Sequence, residues 1–180
     1  MAVLFISETY VKNNSLIDEN VDVRLILPSI RDAQELRAHP ILGTPLYEDL
    51  KTKITGGTLT ADDITLLDNY IAPSMLQWTM YECSASMLFK YRNKSVATKS
   101  SENSQPIDFQ DLQFLRDEWK NKAEERDKRL INYLCDNDNL YPKYNESSDD
   151  LNPKKTAYQT SFYLGGGSSN CWRDDYKYYK

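Results

Sequence analysis

The stretch from Met75 to Tyr91 constrains the fold more than any other part of the chain. Met75, Leu76, Trp78, Met80, Tyr81, Cys83, Ala85, Met87, Leu88 and Phe89 go nearly all the way round a helix. A surface helix is apolar along one stripe only, so a helix apolar on every side has to be enclosed by others. The chain is therefore expected to wrap other helices around this one.

The candidates are legible on both sides. Val23, Ile26, Leu27, Ile30, Ala33 and Arg37 fall at spacings of three and four and predict a helix from about Asp22 to Ala38, bent at Pro28. His39-Pro40 is expected to end it, because a residue before proline avoids the helical region. Thr44 is placed to cap a second helix, with Pro45 at its first position and Gly56-Gly57 at its end. Thr60 and Asp63 form an acidic capping box ahead of Ile64, Leu67 and Ile71, and Pro73 is expected to interrupt that helix. Asp108 caps a long last helix to about Cys135, striped by Leu112, Leu115, Trp119, Ala123, Arg126, Leu130 and Leu134. Its middle, Lys120 to Arg129, carries both charge signs and reads as a solvated face with i,i+4 pairs. A short arm, Val3 to Ile6, and a turn of helix capped by Ser7 precede all of this. Residues 92 to 107 read as a polar loop or exposed hairpin through Val96.

The fold class expected is all-α: a four- to five-helix bundle with a long extended C-terminal tail that has room for short β-strands. The body is expected over residues 1–137 and the tail over 138–180. The tail has nine aromatics in 43 residues and no helical period, and it is broken by Pro142, Pro153 and Gly165-Gly166-Gly167. A merely solvating tail is poor in aromatics; aromatic anchors belong to interfaces. Tyr158, Thr160 and Phe162 alternate with their neighbours as in a strand, which could add to a partner's sheet. The residues expected to bind a partner are Tyr158, Phe162, Tyr163, Trp172, Tyr176, Tyr178 and Tyr179. Fully extended, the segment reaches about 140 Å.

Other classes of function find little footing. The net charge is -5, a poor basis for sequence-independent DNA binding. Cys83, Cys135 and Cys171 are far apart with no CxxC spacing, and His39 is the only histidine, so no metal site is expected. Gly165 to Gly167 lacks the spacing and the Lys-Ser/Thr ending of a phosphate loop. The acidic pairs Asp62-Asp63, Asp149-Asp150 and Asp174-Asp175 sit within single elements rather than converging from several. No catalytic residue and no cofactor is expected. No stretch has the length or apolarity of a membrane span.

The stretch Ala38-His39-Pro40-Ile41-Leu42-Gly43-Thr44-Pro45-Leu46-Tyr47-Glu48-Asp49-Leu50 resembles the helix–ILGTxLY–helix segment of the head-to-tail connector (adaptor) proteins of tailed bacteriophages, most closely those of crAss-like and related Bacteroidetes phages. Tyr70 to Tyr91 resembles their central helix. The resemblance covers about residues 5 to 137; the tail is similar only in being a long extension. It implies a virion structural protein, not an enzyme: a subunit of a homo-oligomeric ring, typically twelve-fold, assembled in the host cytoplasm and resident at the portal–tail vertex. The implied partners are the portal protein and adjacent tail-ring proteins, with DNA passing through the lumen without sequence-specific binding. The alternative from the residues alone is a helical regulatory adaptor that binds a protein partner transiently.

Overall fold

The computed structural model describes residues 3–92, 95–98 and 108–156. Within them the chain is an all-α bundle around a main core, with a small second cluster of Ala33, Trp78 and Ala123. Helix α6 (Ala72–Leu88) packs against α2 (Val23–Ala33) and α7 (Phe109–Asp136). Met75, Trp78 and Cys83 of α6 are all but inaccessible to solvent, as a helix apolar on every side requires. Burial pushes the Cys83 thiol up to about 12, so it is a neutral core group at physiological pH.

The capping signals act largely as read. The Ser7 hydroxyl accepts from Tyr10 N–H at the start of α1 (Glu8–Asn14). Asp22 caps α2 and Asp108 caps α7. At α5 (Ala61–Leu66) the Thr60–Asp63 box is complete, each side chain bonded to the other's backbone N–H. Helix α6 ends at Leu88, short of the expected Tyr91: Phe89–Arg92 instead form β1, paired antiparallel with β2 (Ser95–Thr98), Tyr91 opposite Val96.

Two prolines behave otherwise than expected. His39-Pro40 does not end a helix, nor does Pro73 break one. The path from α2 runs through a π-turn, Gln34–Ala38, into α3 (His39–Leu42); the path from α5 runs through a π-turn, Leu67–Ile71, into α6. In both, proline is the second residue after the widened turn. Proline in a regular helix strikes the carbonyl four residues back and leaves it without a donor. A π-turn shifts the hydrogen-bond register by one and makes room at that point. The first path then stops at Gly43.

Thr44 is not the cap of α4 (Thr44–Gly56). Gly43 takes the cap position with φ 74 and ψ 153, and no side chain caps the helix. At the other end Gly57, at φ 64, closes α4 in the left-handed conformation.

The body extends past the boundary expected at residue 137. After α7 the chain makes two short 3-10 turns, Asp138–Leu140 and Pro142–Asn145, and returns across the bundle. Tyr141 and Tyr144, assigned by composition to the tail, are buried in the main core. Tyr141 Oη donates to the Asp62 carbonyl at 2.8 Å, and Tyr144 Oη donates to the Lys154 carbonyl at 3.2 Å. Burying two aromatic side chains contributes several kcal/mol, roughly 1.5–3 each. Residues 138 to 155 are thus a strap belonging to the body.

Candidate docking site

The strap is held by the segment that carries the ILGTPLY residues. Thr44 N–H donates to Leu151 O at 2.9 Å, Leu151 N–H donates to Thr44 Oγ1 at 3.2 Å, and Lys154 N–H donates to Pro40 O at 3.0 Å. The Thr44 hydroxyl donates to Asp150 Oδ2 at 2.8 Å. Because that proton is committed to the carboxylate, the His39 Nε2 atom 2.9 Å away is the donor to Thr44 Oγ1. The threonine exposed by the displaced cap is therefore a clamp for residues 106 or 107 positions away.

Gly43 completes the clamp. A Cβ there would lie 2.7 Å from Pro153 Cδ and 2.8 Å from Pro153 N, and its backbone region is one that only glycine enters freely. His39 lies in α3, and its ring stacks on Tyr47 with centroids 4.1 Å apart and planes 16° from parallel. Tyr47 Oη in turn donates to Glu35 Oε1 at 2.6 Å and accepts from Gln34 Nε2 at 2.9 Å. Gln34 reaches on to the N-terminal arm, accepting from Phe5 N–H and donating to Val3 O. Burial and the bond to the Glu35 carboxylate both push the Tyr47 phenol up, so it is a neutral donor.

Beside the clamp lies a cleft of about 320 Å³. Leu36, Pro40, Ile41, Trp78 and Ile131 form its apolar walls; Arg37, Glu124, Asp127, Lys128 and Lys154 supply its charge. Asp127 accepts from Trp78 Nε1 at 3.0 Å and from the Ser74 hydroxyl. Burial pushes its carboxyl above the usual carboxylate value, against the pull of those two bonds and of Lys154 and Arg37. The Arg37 guanidinium lies over Trp78, 4.0 Å from the ring centroid, and pairs with Glu82 at 3.6 Å. Arg37 Nε is buried and has no hydrogen-bond partner among the described residues.

Asp127 corrects the reading of the Lys120–Arg129 face. The i,i+4 pairs expected there are present, Lys122–Glu118 at 2.5 Å and Lys120–Glu124 at 3.8 Å, but Asp127 turns inward. The signal that could have found it is position: the stripe expected through Arg126, which is exposed, runs through Asp127 instead, between buried Ala123 and Leu130. Nothing in the sequence pairs Thr44 with Asp150.

The seven aromatic residues expected to bind a partner, Tyr158, Phe162, Tyr163, Trp172, Tyr176, Tyr178 and Tyr179, lie outside the described residues. The structure describes the chain as far as Thr156, two positions beyond Lys154, which lines the cleft. Among the described residues no cluster of His, Cys, Asp or Glu is arranged to hold a metal, and no helix is long and apolar enough to cross a membrane.

No curated protein and no solved structure matches the chain. One family model does, over residues 38–150, more than half of the chain. The match opens at the residue before His39 and closes on Asp150, so it encloses both sides of the Thr44–Asp150 clamp. The chain accordingly belongs to DUF6712, described as a family of unknown function.

Proposed function

We propose that the protein is a head-to-tail connector subunit of a tailed-phage virion. It joins the portal vertex to the tail as one member of a homo-oligomeric ring and helps retain packaged DNA. Residues 157–180 dock on the portal or on a neighbouring subunit. The observation that carries the reading is the clamped strap. Thr44, Gly43 and Pro40 hold residues 150–154 on a rigid helical body, and the aromatic-rich remainder leaves from that fixed point. An anchored exit lowers the entropy cost of docking a long segment, because one end is already placed. The likeness of residues 38–50 to connector proteins supplies the identity of the partner.

The test is light scattering of the purified chain, alone and mixed with a matching portal. The expected outcome is incorporation into a portal-sized symmetric complex, lost when residues 157–180 are removed while thermal unfolding is unchanged. A full chain that stays monomeric and ignores both portal and tail-ring proteins would sink the reading.

A further inference from the structure

The N-terminal arm, residues 3–6, and the strap, residues 138–155, are both tied to the surroundings of Tyr47. Gln34 is 2 % exposed, and its amide is divided between the arm and Tyr47. Its Oε1 accepts from Phe5 N–H at 2.8 Å; its Nε2 donates to Val3 O and to Tyr47 Oη, both at 2.9 Å. A primary amide nitrogen carries two protons, so both are committed. The Tyr47 ring has one aromatic neighbour on the arm and one at the clamp. Phe5 meets it edge-on with centroids 5.3 Å apart, and His39 stacks on it at 4.1 Å.

The clamp end is equally committed. Thr44 Oγ1 accepts from His39 Nε2 and from Leu151 N–H and donates to Asp150, which uses all that a hydroxyl offers. An unbroken series of bonds and ring contacts thus runs from Phe5 through Gln34, Tyr47, His39 and Thr44 to Leu151. When the arm lifts away, the Gln34 amide loses its bonds to Phe5 and Val3, and Tyr47 loses an aromatic neighbour. A buried amide left unpaired is costly, so Gln34 has to reorient or admit water. Either response unsettles the Tyr47 ring on which His39 rests, and His39 supplies one of the two bonds that Thr44 accepts.

We propose that the N-terminal arm and the strap are coupled through Tyr47 and His39, so that release of either one loosens the other. His39 is a positioning residue here: it acts on the strap through Thr44. A partner that draws the arm from its place loosens the strap from which residues 157–180 continue, and a partner that pulls on the strap loosens the arm. The coupling is a property of the isolated chain and does not rest on the connector reading.

Amide hydrogen exchange of the full-length protein, read residue by residue by NMR, tests this in both directions. Phe5→Pro removes the N–H that Gln34 accepts and the ring on Tyr47; Leu151→Pro removes the N–H that Thr44 accepts. The reporter on the strap is the Lys154 N–H, which donates to Pro40 O at 3.0 Å. The reporter on the arm is the Phe5 N–H. The expected result is a protection factor at Lys154 at least about fivefold lower in Phe5→Pro, and one at Phe5 at least about fivefold lower in Leu151→Pro. The amides of α6 keep their protection in both, which separates coupling from a general loss of stability. Where Phe5→Pro also unsettles α6, Phe5→Ala keeps the N–H, removes only the ring, and is held to the same threshold. On a His39→Ala background both far-end effects disappear, which a purely local role of arm and strap would not produce. A smaller far-end change in either direction overturns the proposal, because coupling between two sites is reciprocal. Far-end effects that persist without His39 overturn it as well, since the series through Tyr47 then does not carry them.

Discussion

Asp63 and Asp127 are both carboxylates that folding removes from water, in two different regions, and they end with shifts of opposite sign. Burial pushes both upward. At the start of α5, Thr60 donates through its N–H at 2.9 Å and its hydroxyl at 2.8 Å, and Lys53 Nζ stands 3.1 Å away. Together these outweigh burial and hold Asp63 below its usual value. On α7, Asp127 has two neutral donors, Ser74 and Trp78, and its nearest cations act only from further off, so burial prevails. Two neutral hydrogen bonds do not replace the hydration of a carboxylate; a bonded ammonium and a backbone N–H do.

The largest test of this contrast is Asp127→Ala. It strands Trp78 Nε1 and the Ser74 hydroxyl in the core, and a loss of about 2–4 kcal/mol in denaturant unfolding is expected. A loss under about 1 kcal/mol would mean that water replaces the carboxylate there. Asp63→Ala removes the reciprocal half of a capping box and is expected to cost about 1–2 kcal/mol by the same measurement.

Acid titration separates the two sites by sign. For Asp127 the folded chain holds its proton to higher pH than the unfolded chain, whose value is near 3.8. Stability therefore falls as pH rises from there through the raised folded value. Asp127→Asn should gain on the wild type across that window, its advantage growing as pH rises. For Asp63 the contribution is complete above 3.8 and is lost as pH falls through the lowered folded value, so the cost of Asp63→Asn should shrink on acidification. Unfolding curves at pH 3, 5 and 7 that move in parallel for both variants would remove the distinction. The smallest effect is expected for Lys53→Met. The ammonium is 29 % exposed and also pairs with Asp49 at 2.8 Å, so solvent screening leaves about 0.5–1 kcal/mol.

The same contrast separates the legible parts of the chain from the hidden ones. Asp63 is legible because its partner Thr60 is three residues away and the box has a sequence signature. Asp127 is hidden in a run of charges, since the residues that receive it, Ser74 and Trp78, are 53 and 49 positions distant. The clamp is hidden for the same reason: Thr44 looks like a cap until Asp150 and Leu151 are placed beside it. Tyr141 and Tyr144 share the composition of the tail, and composition does not say which aromatic finds a cavity in its own body.

Local spacing, capping residues and apolar period suffice for the helical class, the central place of α6, most of the helix starts and the long α7. Each of these is settled within a few turns of chain. It takes the packed molecule to show that Pro40 and Pro73 sit behind π-turns, that the strap through Lys154 belongs to the body, and that Arg37, Trp78 and Asp127 meet at one cleft. Those outcomes depend on which distant groups compete for the same backbone and side-chain hydrogen bonds, and a local pattern carries no record of that competition.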